Sequence, residues 1–67
     1  MNTIGDDLPK QMARVRDVIL PQYAAIGQGG IFAATVIRHD LDIAAKAMAE
    51  GDLIEMIRVY WRLRNTK

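Results

Sequence analysis

The sequence predicts an all-α chain: a small three-helix domain whose second and third helices form an antiparallel αα-hairpin, with oligomerisation expected. Three observations carry this. Apolar residues recur at steps of three and four along most of the chain. Glycine-rich or Gly-Asp punctuation divides them into three runs. Finally, 67 residues with 51% apolar content are too apolar for a disordered chain and too few for more than one domain.

Residues 1–7 are polar and expected to fray. Asp6 and Asp7 precede Leu8-Pro9, and proline in a first turn lacks only an N–H that would be orphaned there anyway. The acids also suit the positive end of a helix dipole. The first helix is therefore predicted over about 8–26, with Leu8, Met12, Val15, Ile19, Tyr23 and Ile26 on one face. Pro21 falls inside that pattern and predicts a kink or break near Asp17–Leu20.

Gly27 is placed to end this helix in the left-handed conformation. The loop from Ile26 to Gly30 is glycine-rich, but it has no preceding strand, no Lys-Ser or Lys-Thr and no GxGxxG. A flexible helix–helix connection explains it better than a phosphate cradle. The second helix is predicted over about 31–50, with Ala33, Val36, Ile37, Asp40, Leu41, Ala44, Ala47 and Met48 along one surface, apolar except for Asp40. Gly51-Asp52 ends it and caps the third helix, predicted over about 52–64. So short a link makes these two helices neighbours.

Composition removes several classes of function. There is no cysteine, so neither a disulfide nor a Cys-based zinc site forms, and one histidine rules out a His-rich metal site. A core this small supplies roughly 3–5 kcal/mol, so association is the natural remaining staple. Nine basic residues against eight acidic is not the balance of a nucleic-acid-binding domain. The first ten residues carry two acids, a proline and no hydrophobic run, unlike an export signal, and cytoplasm is the expected location. Residues 18–37 are uncharged and long enough to span a bilayer, but Pro21, Gln22, Gln28 and three glycines near their middle argue for two helix ends and a turn, and against a membrane partner.

Chemistry has little to work with. There is no serine, and the hydroxyls are Thr3, Thr35, Thr66, Tyr23 and Tyr60. His39 and Asp40 are adjacent, hence about 100° apart on a helix, and with Asp42 and Lys46 read as a solvated face. A domain this small also leaves little room for a pocket of several hundred cubic ångströms. The expectation is a non-enzyme with no catalytic residues, cofactor, metal or small-molecule substrate.

The helix–short turn–helix of the hairpin raises DNA binding. Ala47 and Gly51 match the small residue and turn glycine of a helix-turn-helix, but Lys46, Glu50 and Asp52 would occupy inward-packing positions. The recognition helix would offer Leu53, Ile54 and Glu55 to base edges. The alternative that survives is a dimeric nucleic-acid-associated regulator using a C-terminal basic patch of Arg58, Arg62, Arg64 and Lys67.

The third helix carries the strongest hint. Glu55, Arg58 and Arg62 share one narrow side, and the remaining arc of roughly 220° is apolar, twice what one core needs. Centring that arc assigns Leu53, Met56, Ile57 and Tyr60 to the core. Either Ile54 and Trp61 on one margin, or Val59 and Leu63 on the other, are then left for a partner. A spare tryptophan beside Arg58 and Arg62 has the composition of an interface hot spot. The candidate protein interface is thus Ile54, Arg58, Val59, Trp61, Arg62 and Leu63, serving a homodimer or another protein.

The runs IGDDLPKQMARVRDVI, Y..IG..G.FAA..I and GDLIEMIRVYWRLR resemble a family of small proteins encoded by bacteriophages and prophages of proteobacteria. The shared features are an acid-rich LPK opening at Asp6–Lys10, an IG-x-x-G turn from Ile26, and a closing Gly51–Leu53 segment before an apolar helix. These are caps and turns, so no functional residues carry over. The resemblance implies an accessory protein made in the host cytoplasm that acts by binding host or phage proteins.

Overall fold

The computed structural model describes residues 3–67. Helix α1 spans Ile4–Arg14, a π-helical turn covers Val15–Ile19, α2 spans Leu20–Ala25, α3 Gln28–Glu50 and α4 Leu53–Asn65. The first three pieces join into one rod, so the fold is three helical rods with no strand among the described residues.

The first rod starts earlier than the Asp-Asp-Leu-Pro signal suggests. Thr3 is extended, and its carbonyl accepts from the N–H groups of Asp6 at 3.0 Å and Asp7 at 2.8 Å. The two acids therefore occupy the first turn of α1 rather than preceding it. Pro9 lies inside the helix, and the carbonyl it leaves unpaired belongs to exposed Gly5, where water is at hand. Residues 4–7 are thus helical; residues 1 and 2 of the segment expected to fray lie outside the described residues.

Pro21 neither breaks nor ends the rod. The turn before it widens, and the Leu20 N–H donates to the Val15 carbonyl five residues back. A wider turn gives the proline ring room where an α-turn would press it against the Asp17 carbonyl. Widening also shifts the side chains that follow. Leu20, outside the even apolar stripe, packs on the core, and Ile26 at the end of that stripe is exposed.

Gly27 makes the next turn almost alone, at φ 84° and ψ −139°, a positive-φ conformation open to glycine but outside the left-handed helical region expected of it. Because one residue suffices, α3 begins at Gln28 rather than near residue 31, and Gly29 and Gly30 lie in its first turn. Gly30 is buried there against the backbone of Tyr23. At the other end Gly51 is left-handed, the Asp52 N–H closes on the Ala47 carbonyl at 2.9 Å, and Asp52 Oδ1 caps α4 by accepting from the Glu55 N–H at 3.2 Å. The uncharged stretch 18–37 is therefore divided between two helices, and among the described residues no helix is long and apolar enough to cross a membrane.

Helices α3 and α4 pack against each other, α2 packs on α3, and α1 lies along α4. Leu8, Val15 and Ile19 from the first rod meet Ile37, Ala44 and Ala47 of α3 and Met56, Val59 and Leu63 of α4. The alanines let α3 approach closely.

Arg14, the last residue of α1, fastens that helix to the C-terminal end of α4. Its Nη2 donates to the carbonyls of Leu63 at 2.7 Å, Thr66 at 3.2 Å and Arg64 at 3.4 Å, while its Nε donates to Gln11 Oε1 at 2.9 Å. A helix ends with four carbonyls lacking intrahelical partners, and here a cation from another helix serves part of that end. Arg14→Met, which keeps much of the aliphatic stem, is expected to cost about 2 kcal/mol, the range for hydrogen bonds to a charged group. Arg14→Lys should restore only part of it, because an ammonium lacks the planar fork. Urea unfolding followed by circular dichroism reads both; equal stability of all three chains would refute this cap.

Candidate interaction surface

Helix α4 presents two apolar faces. One is the core face of Met56, Val59 and Leu63. The other points outward: Leu53 is 54% exposed, Ile54 68%, Ile57 43% and Trp61 49%. At 100° per residue the core residues lie about 140–160° around the helix from Trp61. Ile54 and Ile57 lie within about 40° of it and Leu53 within about 80°. The outer face is therefore nearly opposite the core, and neither α1 nor α3 reaches round to it.

This placement sorts the residues expected at an interface. Ile54 and Trp61 are on it and Arg58 on its border. Val59 and Leu63 are not on it: both are fully buried against α1 and α3. Leu53 and Ile57, assigned to the core by centring the apolar arc, are on the surface instead. Arg62 belongs to the flank facing α3, where its Nη1 lies 3.5 Å from Asp40 Oδ1. A usable signal for this orientation was present in the sequence. Asp40 is the one acid on the apolar stripe of α3, and a buried carboxylate needs a cation. Taking Arg62 as that cation turns the Val59 and Leu63 side of α4 inward.

The side chains around Trp61 order one another. The Tyr60 and Trp61 rings meet edge to face with centroids 5.4 Å apart, and the Arg64 guanidinium lies 5.1 Å from the Trp61 ring centroid. Both contacts favour a held indole over a freely rotating one. Arg58 Nη1 is 3.6 Å from Glu55 Oε2. Arg58 and Arg64 stand three residues before and after Trp61, hence about 60° to either side of it. The basic residues of the C-terminal segment thus lie on either side of Trp61, with Arg62 turned to Asp40, and do not form one contiguous patch. Lys67, the fourth, lies beyond the helix, where its carbonyl accepts from the Tyr23 hydroxyl at 2.6 Å.

Elsewhere the surface of the described residues includes two open hollows. One, of about 270 Å³, lies over the α3–α4 link beside Lys46, Glu50, Asp52 and Glu55. The other, of about 350 Å³, lies between Tyr23, Phe32, Val36 and the tail Asn65–Lys67. In the first, Lys46 Nζ lies 4.0 Å from Glu50 Oε1, and in the second the Tyr23 hydroxyl donates to the Lys67 carbonyl. His39, Asp42 and Lys46 are exposed on α3, and among the described residues no three His, Cys, Asp or Glu side chains gather as a metal site would require. The Asp17 carboxyl, held below its ordinary range by two hydrogen bonds from Arg16, is solvent-exposed on the π-turn and away from α4.

Comparison with protein-family models, with curated proteins and with solved structures finds no match to this chain.

Proposed function

We propose that this chain acts by binding another polypeptide through the outer face of α4, without catalysis. The observation that supports this is the cluster of four large apolar side chains exposed on the side of α4 opposite its core. Single exposed apolar residues are ordinary on a protein surface, but a contiguous set that includes a tryptophan with arginines beside it has the composition of a binding hot spot. The sequence resemblance to small phage and prophage proteins supplies the setting: an accessory protein at work in the bacterial cytoplasm, meeting a host or phage protein.

The test is a double variant, Ile54→Asp with Trp61→Ala. Both positions are exposed, so helicity by circular dichroism should be unchanged. Association is read as solution mass by light scattering across a wide concentration range, and as fluorescence anisotropy of labelled amphipathic helical peptides. The parent chain is expected to associate in at least one of these measurements and the double variant in neither. Undiminished association of the variant, or none by the parent, would refute the reading.

A further inference from the structure

Resting on that reading, we infer that the occupant of the α4 face is a single amphipathic helix with acidic flanks, belonging to another protein rather than to a second copy of this chain.

Charge is the first argument. The bases that border the face are Arg58 and Arg64, one on each side of Trp61. Glu55 lies about 120° from Trp61 around the helix and is already paired with Arg58. Residues 53–67 carry four bases against one acid, while residues 1–52 carry five bases against seven acids. The excess of positive charge is thus concentrated on the helix that carries this exposed apolar face. A partner with acids flanking an apolar stripe meets both features at once. A second copy meets them poorly: the one acid of its residues 53–67 is Glu55, which Arg58 already holds.

Size is the second argument. Half-exposed side chains of this kind leave on the order of 100 Å² each open, so the face offers about 400 Å². A stable protein pair of standard size needs ~800 Å² on each partner. A slender ligand laid along α4 matches the smaller area, with apolar anchors spaced one helical turn apart to meet Ile54, Ile57 and Trp61.

The experiment uses the full chain and two synthetic helical peptides with the same leucine stripe, one flanked by glutamates and one by lysines. Trp61 is the sole tryptophan, so its emission reports directly on the face. The glutamate peptide is expected to shift that emission to the blue and to bind at least ten-fold tighter than the lysine peptide. The preference should shrink as salt rises. Arg58→Glu with Arg64→Glu should invert the preference; should that variant fail to fold, Arg58→Gln with Arg64→Gln should abolish it. Equal binding of both peptides would overturn the acidic partner while leaving the α4 face as the docking surface. A dimer built on Trp61 that neither peptide displaces would do the same and make a second copy the occupant. Tighter binding of duplex DNA than of the glutamate peptide at this face would replace the partner with nucleic acid. A monomer that binds none of these would remove both the inference and the reading beneath it.

Discussion

Gly30→Ala is expected to remove most of the stability of the chain, while Gly29→Ala beside it leaves the fold intact or slightly stabilises it. A Cβ on Gly30 would sit 1.8 Å from the Tyr23 carbonyl oxygen and 2.8 Å from its carbon. Both atoms are backbone, so no side-chain rotation relieves the clash and α2 must move away from α3. Overpacking a core costs typically 1–3 kcal/mol, and a clash with fixed backbone belongs at or beyond the upper end. Set against the roughly 3–5 kcal/mol that so small a core supplies, this removes most of the stability. A Cβ on Gly29 meets only Ile26 Cγ2, at 3.5 Å, an ordinary contact. Alanine there also gains up to about 1 kcal/mol of helix propensity over glycine. Thermal melts of the two variants compare them directly. Equal melting temperatures would mean that α2 and α3 are not in the register seen here.

Leu63→Ala is expected to cost 2–5 kcal/mol, the usual range for a buried leucine truncated to alanine, or about the whole stability of the chain. Leu63 is fully buried, and its carbonyl is one that Arg14 caps. Trp61→Ala removes a larger side chain but an outward-facing one, with its ring on Tyr60 and Arg64. Its cost should stay near 1 kcal/mol or below, the size of those contacts. The two substitutions, two residues apart, therefore separate stability from association: Leu63→Ala unfolds, and Trp61→Ala folds but loses the partner. Urea titrations give the first difference and peptide anisotropy the second. If Trp61→Ala proved the more destabilising of the two, the assignment of the core and outer faces of α4 would be reversed.

This contrast marks where reading along the chain succeeds and where it stops. The excess of apolar surface on the last helix was legible, because it is a property of one helix and its period. Which margin of it stays open was not legible: Ile54 with Trp61 and Val59 with Leu63 were open alternatives, because a 220° arc has no internal mark saying which part is covered. The structure exposes Ile54 and Trp61 and buries Val59 and Leu63. The aspartate on the α3 stripe held part of the answer through its pairing with Arg62. Arg14 was hidden for a related reason: along its own helix it reads as a polar-face residue, and its three carbonyl partners lie about fifty positions away.

By itself, then, the sequence determined the all-α class, three helical rods, helix-ending turns at Gly27 and Gly51 and the Asp52 cap. Each of these is set within one or two helical turns, by backbone bonds four residues apart, by caps, and by the conformations that only glycine tolerates. The tertiary structure alone decided the contact between Gly30 and the Tyr23 backbone, the Arg14 cap on α4 and the choice of its buried face. Those depend on the direction from which one helix approaches another. Hydrophobic burial is non-directional, so an over-wide apolar arc permits several approaches. The packing of α1 and α3 selects one of them and leaves Leu53, Ile54, Ile57 and Trp61 outside.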